Sequence, residues 1–361
     1  STYLEIDLRA IRDNISIFKT LLSDRTKILC MVKASSYGSD IGKIGTFLSD
    51  VGVAYLGVAY ADEGVELRKQ GVTLPVLVMN CDQSNFITCI EENLEPAIYS
   101  MSQLEFLVKE LIGLGKTNFP IHIKVETGMN RLGFDKAQLP ELILYLKSQP
   151  EVLVKSIYSH LAESDVLDNA FTIEQIRLFE KLSSEIQNSF SHTIDRHILN
   201  TDGILNYSDA QFDMVRLGIG MYGLGSQKTV NFNPVLKWYS KVSQIKILKK
   251  NESVGYSRGF VADKEMTIAV IPVGYADGFR RTLGNGRGGV FINGNYCPTI
   301  GNVCMDMIMV NVHNFDIKED DYVEIIGENQ TFDEFADKLQ TNKYEVLTNF
   351  SSRLHRIYLN D

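Results

Sequence analysis

No stretch of the 361 residues approaches the about 18 uninterrupted apolar positions that a membrane-crossing helix requires. The first residues, S-T-Y-L-E-I-D-L, carry acids and no charged-then-apolar signal pattern, so no export or anchoring is expected from them. Basic charge is also in deficit: 36 Lys and Arg stand against 45 Asp and Glu, for a net charge of −9. That balance argues against nucleic acid or an anionic membrane as the main partner, because both need a basic field. A local basic pocket for one phosphate is still permitted. The five cysteines (Cys30, Cys81, Cys89, Cys297, Cys304) are odd in number and scattered, with no C-x-x-C pair. Neither a disulfide framework nor a metal site is indicated, and reduced thiols in a cytoplasmic protein are expected. There is no low-complexity tract and no long linker.

What is present is an ordinary globular balance, 44% hydrophobic and 22% charged, over a length that suggests two domains. From Thr26 to about Arg216, short β-rich runs alternate with longer helical patterns. Eight runs can be counted, at 27–33, 55–59, 75–80, 95–99, 119–126, 153–160, 196–200 and 212–216. Helices are expected between them, as at 62–70 and 173–182, where apolar residues recur at helical spacing. Eight strand-helix units suggest a (β/α)8 barrel, with an open doubly wound sheet as the alternative, since periodicity does not report closure. Past about Val230 the strands come in close succession between turn clusters such as 284–289 and 293–295, with one late helical pattern at 332–339. The expected organisation is an α/β barrel over 1–230, its first few residues free to join the second domain, followed by a mainly β domain over 231–361.

Barrels carry their chemistry at the C-terminal ends of strands. There the chain places Lys33 ending strand one, Arg131 shortly after strand five, His160 ending strand six, Asn200 and Thr201 ending strand seven, and Arg216 ending strand eight. Each alone has a bland reading as a solvated charge or a structural histidine. Lys33 closes an apolar run, so desolvation would favour a neutral amine able to form an imine with an aldehyde cofactor, or with a carbonyl substrate as in an aldolase. Glycines at 218, 220 and 223 would let backbone N–H groups approach a phosphate, with Thr201 adding a hydroxyl.

Seven motifs in order then identify a family: V-K-A-S-S-Y-G-S, K-V-E-T-G-M-N-R-L-G, S-H-L-A, V-R-L-G-I-G-M-Y-G, V-G-Y-S-R-G-F, P-V-G-Y-A-D-G-F-R-R and G-N-V-C-M-D-M. The chain resembles the alanine racemases, pyridoxal-phosphate enzymes that interconvert L- and D-alanine for peptidoglycan. It looks most like racemase domains fused behind a cell-wall ligase in some Bacteroidetes.

The resemblance implies a role for each matching residue. Lys33 matches the Schiff-base lysine and one of two catalytic bases. Tyr37, Thr201, the backbone of Gly218 and Ile219, and Tyr344 match the phosphate site, with Asn200 beside them. Arg131 matches the arginine that faces the cofactor's phenolic oxygen and the substrate carboxylate, and Lys124 matches a lysine that is often carbamylated and steadies it. Arg216 matches the partner of the pyridine nitrogen. An arginine cannot accept the pyridinium proton, so the ring is a weaker electron sink and leaves more carbanion character at Cα, which favours brief deprotonation and reprotonation over longer-lived chemistry such as transamination. Racemisation needs an acid/base group on each face of Cα. The resemblance assigns the second to Tyr256, supplied by the neighbouring subunit and hydrogen-bonded by His160, with Tyr275 and Met305 lining the substrate entrance. A homodimer with composite sites follows.

Outside the family context, Met305 reads as core packing and Tyr256 as an ordinary strand aromatic. Departures include S-S-Y-G-S for the commoner N-A-Y-G-H, N-T-D-G for N-S-A-x, and Leu217 where proline is frequent. They bear on phosphate affinity and cofactor exchange, since none removes a catalytic group. The rival readings are a broader serine racemase, a related amino-acid decarboxylase, and a non-catalytic pyridoxal-phosphate carrier, which would match only the barrel half.

Overall fold

The computed structural model describes residues 2–226 and 230–360. By contacts the chain divides into two compact units. One comprises Arg12–Ser36 and Asp40–Asn233, the other the segment through Ile11, Tyr37–Ser39 and Pro234 onward. No helix among the described residues is long and apolar enough to cross a membrane.

The first unit is built on eight parallel strands, Lys27–Met31, Tyr55–Val58, Val76–Val78, Glu95–Ile98, Phe119–Lys124, Val152–Tyr158, Asp195–His197 and Met214–Leu217. Neighbours in sequence are neighbours in the sheet, and the last strand returns to pair with the first, Lys27 opposite Met214 through Cys30 opposite Leu217. That order excludes a doubly wound sheet, in which the strand order reverses at a switch point. The seam between the seventh and eighth strands is bridged by two backbone hydrogen bonds, Asp213 N–H to the Arg196 carbonyl at 3.1 Å and Arg216 N–H to the Leu199 carbonyl at 2.9 Å. The short strands read as continuous apolar runs because both faces are covered; Val76, Leu77 and Val78 are all fully buried.

Helices start and stop on side-chain caps. Asp40 accepts from the Lys43 N–H at 2.8 Å to begin Ile41–Val51, and Gly52 ends that helix at φ 78°. The helix expected at 173–182 extends over Ala170–Gln187, capped by Asn169. Cys81 and Cys89, scattered in sequence, meet with their sulfurs 3.4 Å apart as buried free thiols.

The second unit is mainly β. Its largest sheet has six strands in the order Asn295–Pro298, Gly289–Ile292, Tyr322–Ile326, Leu236–Lys241, Tyr3–Asp7 and His355–Leu359. A three-stranded sheet (Gln244–Leu248, Met266–Ile271, Ile308–Asn311) and a small hairpin complete it. Trp238, fully buried, has the rings of Phe335 and Phe350 set edge-on against it at 5.9 and 5.2 Å. The N-G pair at 293–294 turns a hairpin with both residues at positive φ, 50° and 77°, the geometry that matches strand twist. Two late helices occur where one was expected, Phe332–Leu339 and Lys343–Thr348. The second is a six-residue segment capped by Asn342, too short to leave a periodic signal.

Candidate active site

Several expected strand-end residues lie just beyond their strands, because each ladder stops where the chain turns toward its next helix. The first strand ends at Met31, the sixth at Tyr158 and the seventh at His197. Lys33 and His160 therefore stand two residues past their strands. Asn200 is the N-cap of the helix Thr201–Asn206, accepting from the Gly203 N–H at 2.9 Å, so its side chain has structural work. Arg216 sits inside Met214–Leu217 rather than at its end.

Lys33 opens an unusual segment. Ala34, Ser35, Ser36 and Tyr37 have φ of 51°, 53°, 50° and 55°, and Gly38 has 80°, so Lys33–Gly38 is a turn of left-handed helix. Such a conformation costs roughly 1–2 kcal/mol per residue with a Cβ and persists only where the surroundings over-determine it. Glu63 supplies one restraint: Oε1 accepts from the Ala34 N–H at 2.6 Å, while Oε2 accepts from the Ala59 and Tyr60 N–H groups at 2.7 and 3.2 Å. A second is the buried Ser36 hydroxyl, 2.8 Å from the Tyr222 phenol. At the end of the turn, Arg356 donates to the Gly38 carbonyl at 2.8 Å. A Cβ at Gly38 would lie 2.0 Å from the Leu347 carbonyl oxygen, so only glycine fits. Tyr37 is buried, its ring 6.2 Å from that of Tyr344.

The loop carrying Arg131 is wound around one carboxylate. Glu126 accepts backbone hydrogen bonds from Gly128, Met129, Asn130 and Arg131, which outweigh its burial and hold its acid below the ordinary range. Gly133, at φ 139°, returns the loop so closely that a Cβ would meet the Glu126 nitrogen at 2.7 Å.

Lys33, Lys124, Arg131 and Arg216 thus form a concentrated positive field, opposed at Lys33 by Glu63 and at Lys124 by Glu126. Partial burial of its amine, then the charges of Arg131 and Arg216, hold Lys33 below the ordinary lysine value. Lys124, 7% exposed, is pushed down to about 8, by burial first and then by Arg131, Arg216 and Lys33. Its Nζ lies 5.8 Å from the centre of the Tyr158 ring, whose own buried hydroxyl has no hydrogen-bond partner among the described residues. Such a field is built for anions and for a reactive amine.

Arg216, 2% exposed, touches no carboxylate among the described residues. Its Nη2 donates to the carbonyls of Ser159 and Ile198 and to His160 Nδ1 at 3.2 Å; its Nη1 donates to His197 Nδ1 at 2.8 Å. Burial, and after it the Arg216 charge, keep both imidazoles neutral, well below the ordinary histidine value. Thr201 Oγ1 accepts from the N–H groups of Gly218 at 3.2 Å and Gly220 at 3.1 Å. Its hydroxyl hydrogen can then point outward from the glycine turn, of which Ile219 is part.

In the β unit, Tyr256 is 71% exposed and lies in a short turn after Gly255 (φ 73°), not in a strand. Met305 is 52% exposed, which rules out core packing for it. Tyr275 lies beside it, its N–H donating to the Cys304 carbonyl at 3.0 Å, and Asn302 donates to the Tyr256 carbonyl at 2.9 Å. Sequence reasoning passed over the clamp beneath these residues. Buried Asp277 accepts from the Gly274 N–H at 2.9 Å and, through both oxygens, from Arg353 at 2.7 and 3.0 Å; Arg353 also reaches Asp306 at 2.7 Å. The acid in P-V-G-Y-A-D-G was the available signal. Glu63 and His197 were passed over likewise.

The family model for the alanine racemase N-terminal domain matches residues 6–226, and that for the C-terminal domain matches 235–358. An alanine racemase from Thermodesulfovibrio yellowstonii is 35% identical over 98% of this chain and 97% of its own length. The solved alanine racemase of Clostridium difficile 630 superposes with a TM-score of 0.93 at 30% identity, covering 99% of this chain and 95% of that one. The alanine racemase of Bartonella henselae, solved with covalently bound pyridoxal phosphate, gives 0.91 at 29% identity and 99% coverage of both. With both halves matched in order and relatives aligned end to end, this chain belongs to the alanine racemase family.

Proposed function

We propose that this protein interconverts L- and D-alanine with pyridoxal phosphate, as a cytoplasmic homodimer whose D-alanine serves peptidoglycan. The carrying observation is Arg216, a buried cation that donates to both His160 and His197. The residues fit the cofactor: Lys33 offers a depressed amine for its aldehyde, the Thr201 hydroxyl beside the Gly218–Gly220 turn offers a donor for its phosphate, and the cation cluster suits its negative charge. When bound, pyridoxal phosphate acidifies the substrate Cα–H by drawing electron density into its ring.

The chain supplies the rest. Lys33 moves a proton at one face of Cα, and Tyr256 of the partner subunit at the other. Because His160 Nδ1 accepts from Arg216, a neutral imidazole carries its proton on Nε2 and can only donate there. A phenolate oxygen presented to that Nε2–H is stabilised, which brings a tyrosine toward use as a base near neutrality. Arg216 would hold the ring nitrogen by donation and could not take up its proton. Arg131 binds the substrate carboxylate. Lys124, its amine pushed down to about 8 and so substantially unprotonated just above that pH, is suited to carbamylation, which would place an anion beside Arg131. The exposed Tyr256, Tyr275 and Met305 suit a surface covered by a second copy. Five free cysteines agree with a reducing compartment.

Incubating the purified protein and cofactor with L-alanine or L-serine in deuterated water tests this reading. Inversion with deuterium at Cα, faster for alanine, is expected. Exchange with no inversion would defeat the two-base assignment, and preference for serine would replace the substrate.

A further inference from the structure

Polar side chains thread the barrel interior from the opening of the fourth strand to Arg216 in the eighth. Glu95 Oε2 lies 2.7 Å from His122 Nε2, His122 Nδ1 lies 2.6 Å from Ser156 Oγ, and Ser156 Oγ lies 2.7 Å from His197 Nε2. His197 Nδ1 completes the line, 2.8 Å from Arg216 Nη1. All five side chains belong to buried residues, none more than 8% exposed.

The protons on this path follow from its two ends, a guanidinium that only donates and a carboxylate that only accepts. A guanidinium only donates, so His197 Nδ1 is the acceptor and its neutral ring carries the proton on Nε2. That N–H donates to Ser156, whose hydroxyl hydrogen is then directed at His122 Nδ1. His122 in turn carries its proton on Nε2 and donates to the Glu95 carboxylate, which also accepts from the Tyr55 phenol. The direction cannot reverse, because Arg216 has no lone pair to receive a proton. A carboxylate at the N-terminal end of the barrel is thereby joined through His122, Ser156 and His197 to a buried arginine that contacts no carboxylate among the described residues.

We infer that Glu95 is a positioning residue for the racemisation: through His122, Ser156 and His197 it holds the Arg216 guanidinium in its orientation. Arg216 Nη2 then stays on His160 Nδ1, and the His160 Nε2–H stays aimed at the second base. A chain of polarised hydrogen bonds in a low-dielectric interior transmits such a preference better than isolated pairs would. The inference rests on the roles proposed above for Arg216 and His160, while its first test does not.

Histidine-selective 15N NMR of the holoenzyme near neutral pH reads the tautomers directly, whatever amino acid the enzyme racemises. The expected result is a proton on Nε2 and none on Nδ1 for both His122 and His197. A proton on Nδ1 of either ring overturns the chain as drawn. The second test compares Glu95→Gln, Ser156→Ala and the double variant. Ser156→Ala leaves every charge in place, so it remains informative if the carboxylate variant folds poorly. Each single change should lower kcat roughly tenfold with KM for alanine within about twofold, and should shift the His160 15N resonances. The double variant should be no slower than the slower single variant. Additive losses, or unchanged His160 resonances in Ser156→Ala, would overturn the inference.

Discussion

Arg216 donates to Nδ1 of His160 across 3.2 Å, so the nitrogen that His160 offers outward is a donor. Replacing the arginine with a carboxylate reverses this logic at both of its ends. On the roles proposed above, Arg216→Glu would give the cofactor's ring nitrogen an acceptor for its proton, and His160 would lose the donor that sets its tautomer. Racemisation should slow by about a hundredfold or more, with side conversion of alanine to its keto acid, the amino group passing to the cofactor aldehyde, becoming detectable. Chiral analysis alongside a pyruvate assay measures both. Unchanged racemisation would remove Arg216 from the mechanism.

Lys124 makes a prediction about pH. Its amine titrates near 8 in the folded chain against an ordinary 10.5, so between those values the unfolded state binds more protons and stability rises with pH. Below about pH 8 the buried ammonium is a full penalty. Lys124→Met should therefore melt higher than the parent near pH 7 in cofactor-free protein, the gap closing as pH rises toward 10.5. Intact-mass measurement after bicarbonate treatment near pH 8.5 (about half a unit above this titration) should find one added carbon dioxide in the parent and none in the variant.

If Tyr256 serves the neighbouring subunit, two inactive proteins should rescue each other. Mixing Lys33→Ala with Tyr256→Phe after dissociation makes half of the dimers mixed, each with one intact and one doubly defective site. Recovery should approach about one quarter of parental activity. Mixed dimers with no activity would place both bases in one chain.

The clamp beneath Tyr275 and Met305 should matter for both stability and substrate. A Cβ at Gly274 would lie 2.2 Å from the Met305 carbonyl oxygen, so Gly274→Ala forces these two segments apart. Asp277→Ala leaves the Gly274 N–H without its acceptor and removes the two-point contact to Arg353. Each should cost roughly 1–3 kcal/mol by denaturant unfolding and raise KM for alanine severalfold. An unchanged KM would detach this clamp from the substrate entrance.

The barrel strands were legible because parallel strands covered on both faces must be apolar, as the residues at 76–78 and 28–31 are. Lys33, His160 and Arg216 were legible as polar residues breaking or following such runs. Closure was not, since it depends on hydrogen bonds between Arg196 and Asp213 and between Leu199 and Arg216, which no local pattern encodes. The polar interior escaped notice for a different reason. Glu95, His122 and Ser156 each read as ordinary strand residues, and only the stagger of neighbouring strands brings them into line. Asn200 carried a helix-start signal, with glycine three residues on, that its place in a motif overshadowed.

The turn after Lys33 has a stereochemical consequence. At Ala34 the backbone adopts the conformation natural to the opposite enantiomer, and a protein made by chemical ligation with D-alanine there would place its methyl group clear of the following carbonyl. Glycine relieves the same clash but loosens the unfolded chain, so it blurs strain with entropy. The mirror-image residue separates the two, and would weigh how much of the energy stored beside the reactive amine belongs to handedness alone.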